Sequence, residues 1–334
     1  WNMASRDNPE YSAVIVTKSG ARYNITSIMT GVETAEEEGQ VAQRVTVSFF
    51  NASNGSAYLN DAVNVMDRMY LYANDGNSPK EVFRGFIWEI EYSSDLEKIL
   101  LATCYDNLIF FQESEESKFF AKGQSTSQVT SSLCADWGVK QNYTYDSITH
   151  DKLTLQGTLS DIFLNDLLGE VKRQKGIRFV MRSREDIIDI APVGQNDTVY
   201  TLHQNERVIS TNSRVSMSGV ITKIKIMGAA DDSGASNTAA VVTGKTNEYG
   251  TLQKIRQKDS DKSLDAAKKE ANTEISENGA PKKKFEVEAV DIPWIRKGDK
   301  IKVVAGDMNS DFIVLGVQRK IKSDSKKMTL TCEY

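Results

Sequence analysis

The chain has 334 residues, 40% apolar and 26% charged, with 41 Lys and Arg against 46 Asp and Glu for a formal net charge of −5. That length predicts two or three domains. The composition is that of a soluble globular protein, and no stretch approaches the ~18 uninterrupted apolar residues of a membrane helix, so no membrane insertion is expected. The acidic balance excludes a protein whose main work is gripping nucleic acid, which needs clustered Lys and Arg. Cys104, Cys134 and Cys332 are widely spaced with no CxxC, so neither a disulfide framework nor a thiolate zinc site is readable, and three buried or half-buried thiols in a reducing compartment are expected. The N-terminal "WNMASRDNPEYSA" lacks the basic and apolar regions of a signal peptide, so no export signal is expected there.

Residues 1–115 read as strands. "SAVIVTK" and "ARYNITSI" flank the hairpin turn Ser19-Gly20, and "QVAQRVTVSFF" places Val41, Gln43, Val45, Val47 and Phe49 on one face. Two more alternating runs, "VFRGFIWEIEYS" and "KILLATCYDN", are joined by the turn-like "SSDLE". Strands separated by short turns predict a first β-barrel of tube type.

The character changes over residues 116–205. In "GQSTSQVTSSLCADWG", Ser127 or Thr126 is expected to cap a helix carrying Val129, Leu133 and Trp137, with Gly138 as its stop. In "LSDIFLNDLLGEVKRQKG", Ser160 is expected as the cap, and Ile162, Leu164, Leu167, Leu168 and Val171 form the apolar stripe before Gly176. "IRFVMRSREDIIDIAP" then reads as a hairpin, making this a small α+β domain. From 206 to 334 a second β-barrel domain is expected, opening on the alternation of Val220, Thr222, Ile224 and Ile226. It is interrupted at about 229–283 by an insertion carrying a helix with Leu264, Ala267, Ala271 and Ile275 inward. The strands resume in "VDIPWIRKGDKIKVVAG", where Pro293 forces extended backbone before it and Gly298-Asp299 supplies a turn ahead of Ile301 and Val303. The overall class is mainly β with α+β.

Few residues carry recognisable chemistry. "AAVVTGKT" ends like a phosphate loop, but Ala239 stands where that loop needs glycine. Asp307, Asn309 and Asp311 are spaced like calcium ligands, but Phe312 holds the glycine position and Gln318 the place of the bidentate Glu, so a hairpin loop is expected. His150 lies between Asp146 and Asp151 in what reads as a solvated turn, and His203 is the only other imidazole. Ser323 and Lys326 match S-x-x-K only within a charged loop. Glu89 and Glu91 are the sharpest carboxylate pair, at i and i+2 on one strand, where a solvated sheet face is expected. Trp88, Tyr92, Tyr70 and Tyr72 have the look of a sugar groove, yet at period two they are expected in the first barrel's core. "PKKKFE" at 281–286 reads as a strand end facing water. No residue is put forward as catalytic, cofactor-binding or metal-ligating.

The order of these parts resembles the XkdQ/YqbQ-type baseplate hub proteins of contractile phage tails, known from PBSX-like prophages and related to R-type bacteriocins. "GARYNIT", "FRGFIWEIEY", "ATCYDNLIFFQES", "NSRVSMSGVITKIKIMG", "NEYGTLQKI", "DIPWIRKGDKIKV" and "SDFIVLGVQRKIKSDSKKMTLTCEY" carry the resemblance in order over nearly the whole length. The family commonly has His where this chain has Lys326-Lys327, so no metal or catalytic role is carried to that loop. The resemblance implies a non-enzymatic virion-assembly protein, made in the bacterial cytoplasm and located in the baseplate of a tail particle. It implies a homotrimeric ring in which two barrels alternate, joining a sixfold tail tube to a threefold spike. The implied partners are the tail tube protein, spike protein, tape measure protein and other baseplate proteins, with DNA or tape measure passing through and no specific nucleic-acid binding. Two rival readings remain open: a peptidoglycan hydrolase, and a cell-wall carbohydrate-binding tail protein using Trp88 or Trp294.

Overall fold

Strict period-two alternation in the first segment commits one face of each strand to a shared core, and the register follows from it. A computed structural model describes residues 8–53, 55, 58–93, 98–143, 147–230, 236–258, 263–306 and 308–334. The chain forms two units, residues 1–212 with 285–334, and residues 213–284.

In the larger unit the first lobe comprises β1 (Glu10–Val16), β2 (Arg22–Asn24), β3 (Met29–Glu36), β4 (Arg44–Phe50), the short α1 (Leu59–Ala62), β5 (Arg68–Asn74), β6 (Lys80–Tyr92) and β7 (Ile99–Tyr105). Ala13 and Ile15, Val45 to Phe49 at alternate positions, Met69, Leu71 and Ala73, and Leu100, Ala102 and Cys104 all enter one core. Each large side chain so buried contributes roughly 1.5–3 kcal/mol. The hairpin at Ser19-Gly20 forms as expected, with Gly20 at φ +88°. Residues 94–97 of "SSDLE" lie outside the described residues. Tyr70 and Tyr72 are a correction to the expected core, because on β5 the buried parity belongs to Met69, Leu71 and Ala73. Trp88 and Tyr92 are likewise exposed rather than in the core. Ile87 pairs with Cys104 and Glu89 with Thr103, so Trp88 is the extra residue of a β-bulge.

The mixed module follows, with α2 (Ile109–Glu113), β8 (Glu115–Phe120), α3 (Thr126–Asp136), β9 (Lys140–Asn142), β10 (Leu153–Thr158), α4 (Leu159–Asp161), a π-helical turn (Ile162–Leu167), α5 (Leu168–Lys175), β11 (Phe179–Arg184) and β12 (Ile187–Pro192). Both helices occur where the periodicity places them, but their caps differ. Ser125 caps α3 through a capping box with Gln128, and Thr158, whose side chain accepts from the Asp161 N–H, replaces Ser160. The π turn inserts a residue so that Ile162, Phe163, Leu167 and Leu168 are all buried, a wider face than an ideal helix presents. Glu185 and Asp186 turn the β11–β12 hairpin with φ of 51° and 65°, which is costly for non-glycine residues. Asp186 is held there by Arg68, at 2.7 Å, and by Asn107 donating to its carbonyl at 2.8 Å.

The last lobe contains β13 (Tyr200–His203), β14 (Val208–Ser216), β18 (Lys282–Val290), β19 (Lys300–Ala305), β20 (Met308–Ile321) and β21 (Lys326–Glu333), around Val287, Ile301, Val303, Phe312, Val314 and Leu330. Its strands and those of the first lobe form one thirteen-stranded sheet, running β14-β18-β21-β20-β3-β4-β7-β6-β5-β1-β2, with β19 and β13 branching from β20. The mainly β class is as expected. The sheet closes no barrel among the described residues: its path runs open from β14 to β2, and the lobes share β20 as a common strand.

The smaller unit has β15 (Lys223–Ala230), β16 (Ser236–Thr243), α6 (Thr246–Tyr249), β17 (Gln253–Gln257) and α7 (Leu264–Asn278). Its core is Ile224, Ile226 and Ala271, with Ala267 and Ile275 of the predicted helix packed beside it. The strand predicted by Val220 to Ile226 pairs here with β16 and β17, two strands whose polar sequences gave little period-two signal.

Candidate functional site

Three features of the larger unit stand out. The first is a transverse row of side chains across the shared sheet. Residues directly opposite in antiparallel pairs share a face, and the registers link Lys327, Lys320, Glu33, Thr46, Thr103 and Glu89 across six successive strands. All six are exposed or half-buried, whereas the strand neighbours of Lys320, Glu33, Thr46 and Thr103 are buried. The row is polar and of mixed charge.

The second feature is a set of buried charges behind the 291–299 segment. Arg296 Nε donates to Glu36 Oε1 at 2.7 Å, and Lys297 Nζ donates to the carbonyls of Glu37, at 3.2 Å, and Gln40. Arg182 donates to Asp299 Oδ1 at 2.8 Å, while Asp299 Oδ2 accepts from the Arg296 N–H at 2.9 Å. Burial pushes the Glu36 carboxyl up, but Arg296 with Lys297 and Arg319 pulls harder, leaving it below the usual carboxylate range. Close by, Asp106 accepts from the backbone N–H groups of Gln43 and Leu108, and burial raises it to about 7. A second cluster joins Tyr11 to Asp291 and Asp291 to Arg319, whose guanidinium also donates to the carbonyls of Ile292 and Ile295. Burial raises Asp291 in spite of Arg319. These contacts tie the first lobe, the mixed module and the last lobe together.

Sequence reading passed over these residues because their partners lie up to 280 positions away. A signal existed: Arg319 shares inward parity with Val317 and Ile321, as Glu36 does with Val32 and Thr34. A charge at a core position is either paired or absent.

The third feature is a polar cleft of about 510 Å³ where Lys80 to Arg84, Ser183 to Glu185, and Pro293, Trp294 and Arg296 converge over Gln43 and Asp106. Two of its acids are engaged, Glu81 by Arg84 Nε and Nη2, at 2.9 and 2.8 Å, and Asp106 by backbone N–H groups. Lys80 Nζ sits 5.4 Å from the centre of the Trp294 ring, and the Trp294 indole donates to Asp75.

The residues weighed from sequence are not brought together. Glu89 and Glu91 face solvent beside Thr103 and Leu101. His150 is a correction: it is buried, 4% exposed, with Nε2 2.8 Å from Thr126 Oγ1, and burial lowers its pKa. Asp151 pairs with Lys122 at the surface and His203 is exposed on β13, while Asp146 lies outside the described residues. Asn309 and Asp311 belong to β20, paired with Val304 and Lys302, rather than to a hairpin loop, and Asp307 lies outside the described residues. Lys326 is half-buried and donates to Asn8. Residues 282–286 are part of β18. In "AAVVTGKT", the Gly244 N–H is spent on the Thr222 carbonyl at 2.8 Å, and a Cβ there would lie 2.5 Å from Ile275, so this glycine serves close packing. The three cysteines are free and buried. Among the described residues no group of three or more His, Cys, Asp or Glu could hold a metal, and no helix is long and apolar enough to cross a membrane.

The YQBQ-like family model matches residues 36–333. No curated protein matches the sequence. Among solved structures, the chain is similar to the prophage MuSo2 43 kDa tail protein from Shewanella oneidensis, with 13% identity, a TM-score of 0.66, and 96% of this chain and 98% of that one covered. It is also similar to a tail protein from Neisseria meningitidis MC58, with 11% identity, a TM-score of 0.69, and coverages of 97% and 96%. A third likeness is to the E. coli c3393 protein, a type VI secretion component described as similar to the T4 tail proteins gp27 and gp5. There the identity is 14%, the TM-score 0.58, and the coverages 92% and 74%.

Proposed function

The chain belongs to the YQBQ-like family, and from that premise we propose that it is a structural hub subunit of a contractile tail baseplate. In this reading three copies form a ring between a sixfold tail tube and a threefold spike, and the tail tube, spike, tape measure and other baseplate proteins are its partners. The lobes at 1–115 and 206–334 act as tube-type domains on either side of the α+β part at 116–205, with an insertion at about 229–283. Neighbouring copies complete the ladders that a single chain leaves open.

The observation that carries the reading is the sheet shared by the two lobes, in a chain whose fold matches tail proteins over almost their full lengths. A continuous ladder holds both lobes at a fixed spacing, as a subunit spanning two positions of a sixfold lattice requires. The polar transverse row suits the wall of a channel through which DNA or tape measure slides without being held. The protein works through surfaces and carries out no catalysis, a reading supported by the engagement of Glu81 and Asp106 in the cleft and by the solvated Glu89 and Glu91.

Imaging of tail particles carrying a labelled copy tests this. The label is expected as three densities at the junction of tube and spike. Labels on the sheath or fibres, or a lytic band on cell-wall zymography that a single carboxylate substitution abolishes, would overturn it.

A further inference from the structure

The cleft beside Trp294 has a property that its side chains alone do not reveal. Side chains alternate between the two faces of a strand, so a wall built from one face contributes every second residue. Here five consecutive residues, Lys80 to Arg84, line the cleft. The strand therefore presents its backbone edge. The pairing explains why: β6 pairs with β5 from Lys80 onward, but β7 joins it only from Phe86, opposite Tyr105. Gly85 marks the departure, since a Cβ there would lie 2.2 Å from the Tyr105 carbonyl oxygen. Residues 80–85 thus have a strand on one side only, over about 20 Å at ~3.3 Å per residue. On the opposite wall, Ser183 and Arg184 end β11, which is itself the edge of the β11-β12-β9 sheet.

Unpaired strand edges facing a cleft are templates for an added strand. The side chains specify its chemistry. The exposed Arg184 guanidinium has no ion-pair or hydrogen-bond partner among the described residues, and the Lys80 ammonium has only the Trp294 ring. Below them the Gln43 amide and the Ser183 hydroxyl, 5% and 8% exposed as residues, have no side-chain hydrogen bond among the described residues. Glu81 is neutralised by Arg84, which leaves Glu185 as the one unengaged acid at the rim.

We infer that this cleft is a docking site for an extended, acidic peptide segment of a partner protein, which adds a strand to the free edge of β6 and sets carboxylates against Arg184 and Lys80. The main-chain ladder supplies affinity that is tolerant of sequence, and the two cations select acidic residues. The inference holds whether or not the chain assembles into a trimer.

Fluorescence anisotropy with the full chain tests it, using a capped, labelled eight-residue peptide alternating glutamate with valine. Saturable binding is expected, weakened about tenfold or more by glutamine in place of glutamate and by Arg184→Glu. Lys80→Glu is expected to weaken it as well, and Glu185→Gln to tighten it. A peptide N-methylated at alternate residues, unable to complete the ladder, is expected not to bind. All three substitutions are at exposed positions, and unchanged thermal melts confirm that the variants fold. Failure of the acidic peptide to bind, equal binding by Arg184→Glu, or indifference to N-methylation overturns the proposal. Displacement of the peptide at matched concentration by an oligogalacturonate also overturns it and marks the cleft as a site for acidic sugars.

Discussion

Replacing Arg319 by methionine removes one partner of a buried ion pair while keeping most of the side chain's apolar stem. The Arg319 side chain is 3% exposed and that of Asp291 is not exposed at all, so water does not take over the lost contacts. Breaking such a pair from one side costs about 3–5 kcal/mol, and the carbonyls of Ile292 and Ile295 lose a charged donor as well. At roughly 2–4 °C per kcal/mol for a chain of this class, the melting temperature is expected to fall by about 10 °C. The triple variant Tyr11→Phe, Asp291→Leu, Arg319→Met removes both members of the pair and is expected to recover at least half of the loss. The sign of the pH effect also follows. Burial already raises Asp291, and removing Arg319 raises it further, so the extra destabilisation grows as pH rises and shrinks towards pH 4, where the protonated acid needs no counter-charge. Urea unfolding at pH 4.5 and 7.5 reads both effects. A single variant that loses under ~1 kcal/mol at pH 7.5, or a triple variant no more stable than the single, would refute the reasoning.

Three further outcomes are expected. Asp106, raised by burial to about 7 from 3.8, gives stability that is complete below its unfolded value and lost as pH climbs through about 7. Asp106→Asn is expected to remove that component, whose limiting slope is about 1.4 kcal/mol per pH unit, as read by unfolding between pH 5 and 8. Gly298→Ala places a Cβ 2.6 Å from Val180 at a φ of +89°, and a loss of about 2 kcal/mol or more is expected in chemical denaturation. Thiol titration with a disulfide reagent is expected to find Cys104, Cys134 and Cys332 unreactive until the chain unfolds, because burial pushes all three thiols up, to about 12 for Cys134 and Cys332.

Local grammar made much of the fold legible. The first lobe's strands, the Ser19-Gly20 turn and both helices of the mixed module follow from alternation, turn residues and helical spacing. The failures have particular causes. Tyr70 and Tyr72 share a parity, but composition does not tell which of two apolar parities is buried when both faces carry large residues. The bulge at Trp88 shifts parity in mid-strand, which pattern reading cannot anticipate. Ser125 and Gln128 spell a capping box, and that signal was available. His150 looked solvated because its neighbours are polar, yet Thr126, 24 residues away, supplies its partner. The cleft was least legible, since it exists because β7 ends before β6 does and because β11 turns towards it. Of its walls, Trp294 alone carried a binding expectation, and for a different ligand.

The shared strand β20 has a consequence for biosynthesis. The first lobe's sheet is bordered at β3 by residues 317–321, which leave the ribosome some 280 residues after the strand they pair with. Until then the nascent chain carries an open rung from Val32 to Glu36, with Tyr11 awaiting an acid that arrives 280 residues later. Such long-range closure makes productive folding slow and late. A premature stop anywhere before residue 308 would leave a first lobe with a sticky flank, prone to pairing with its own kind.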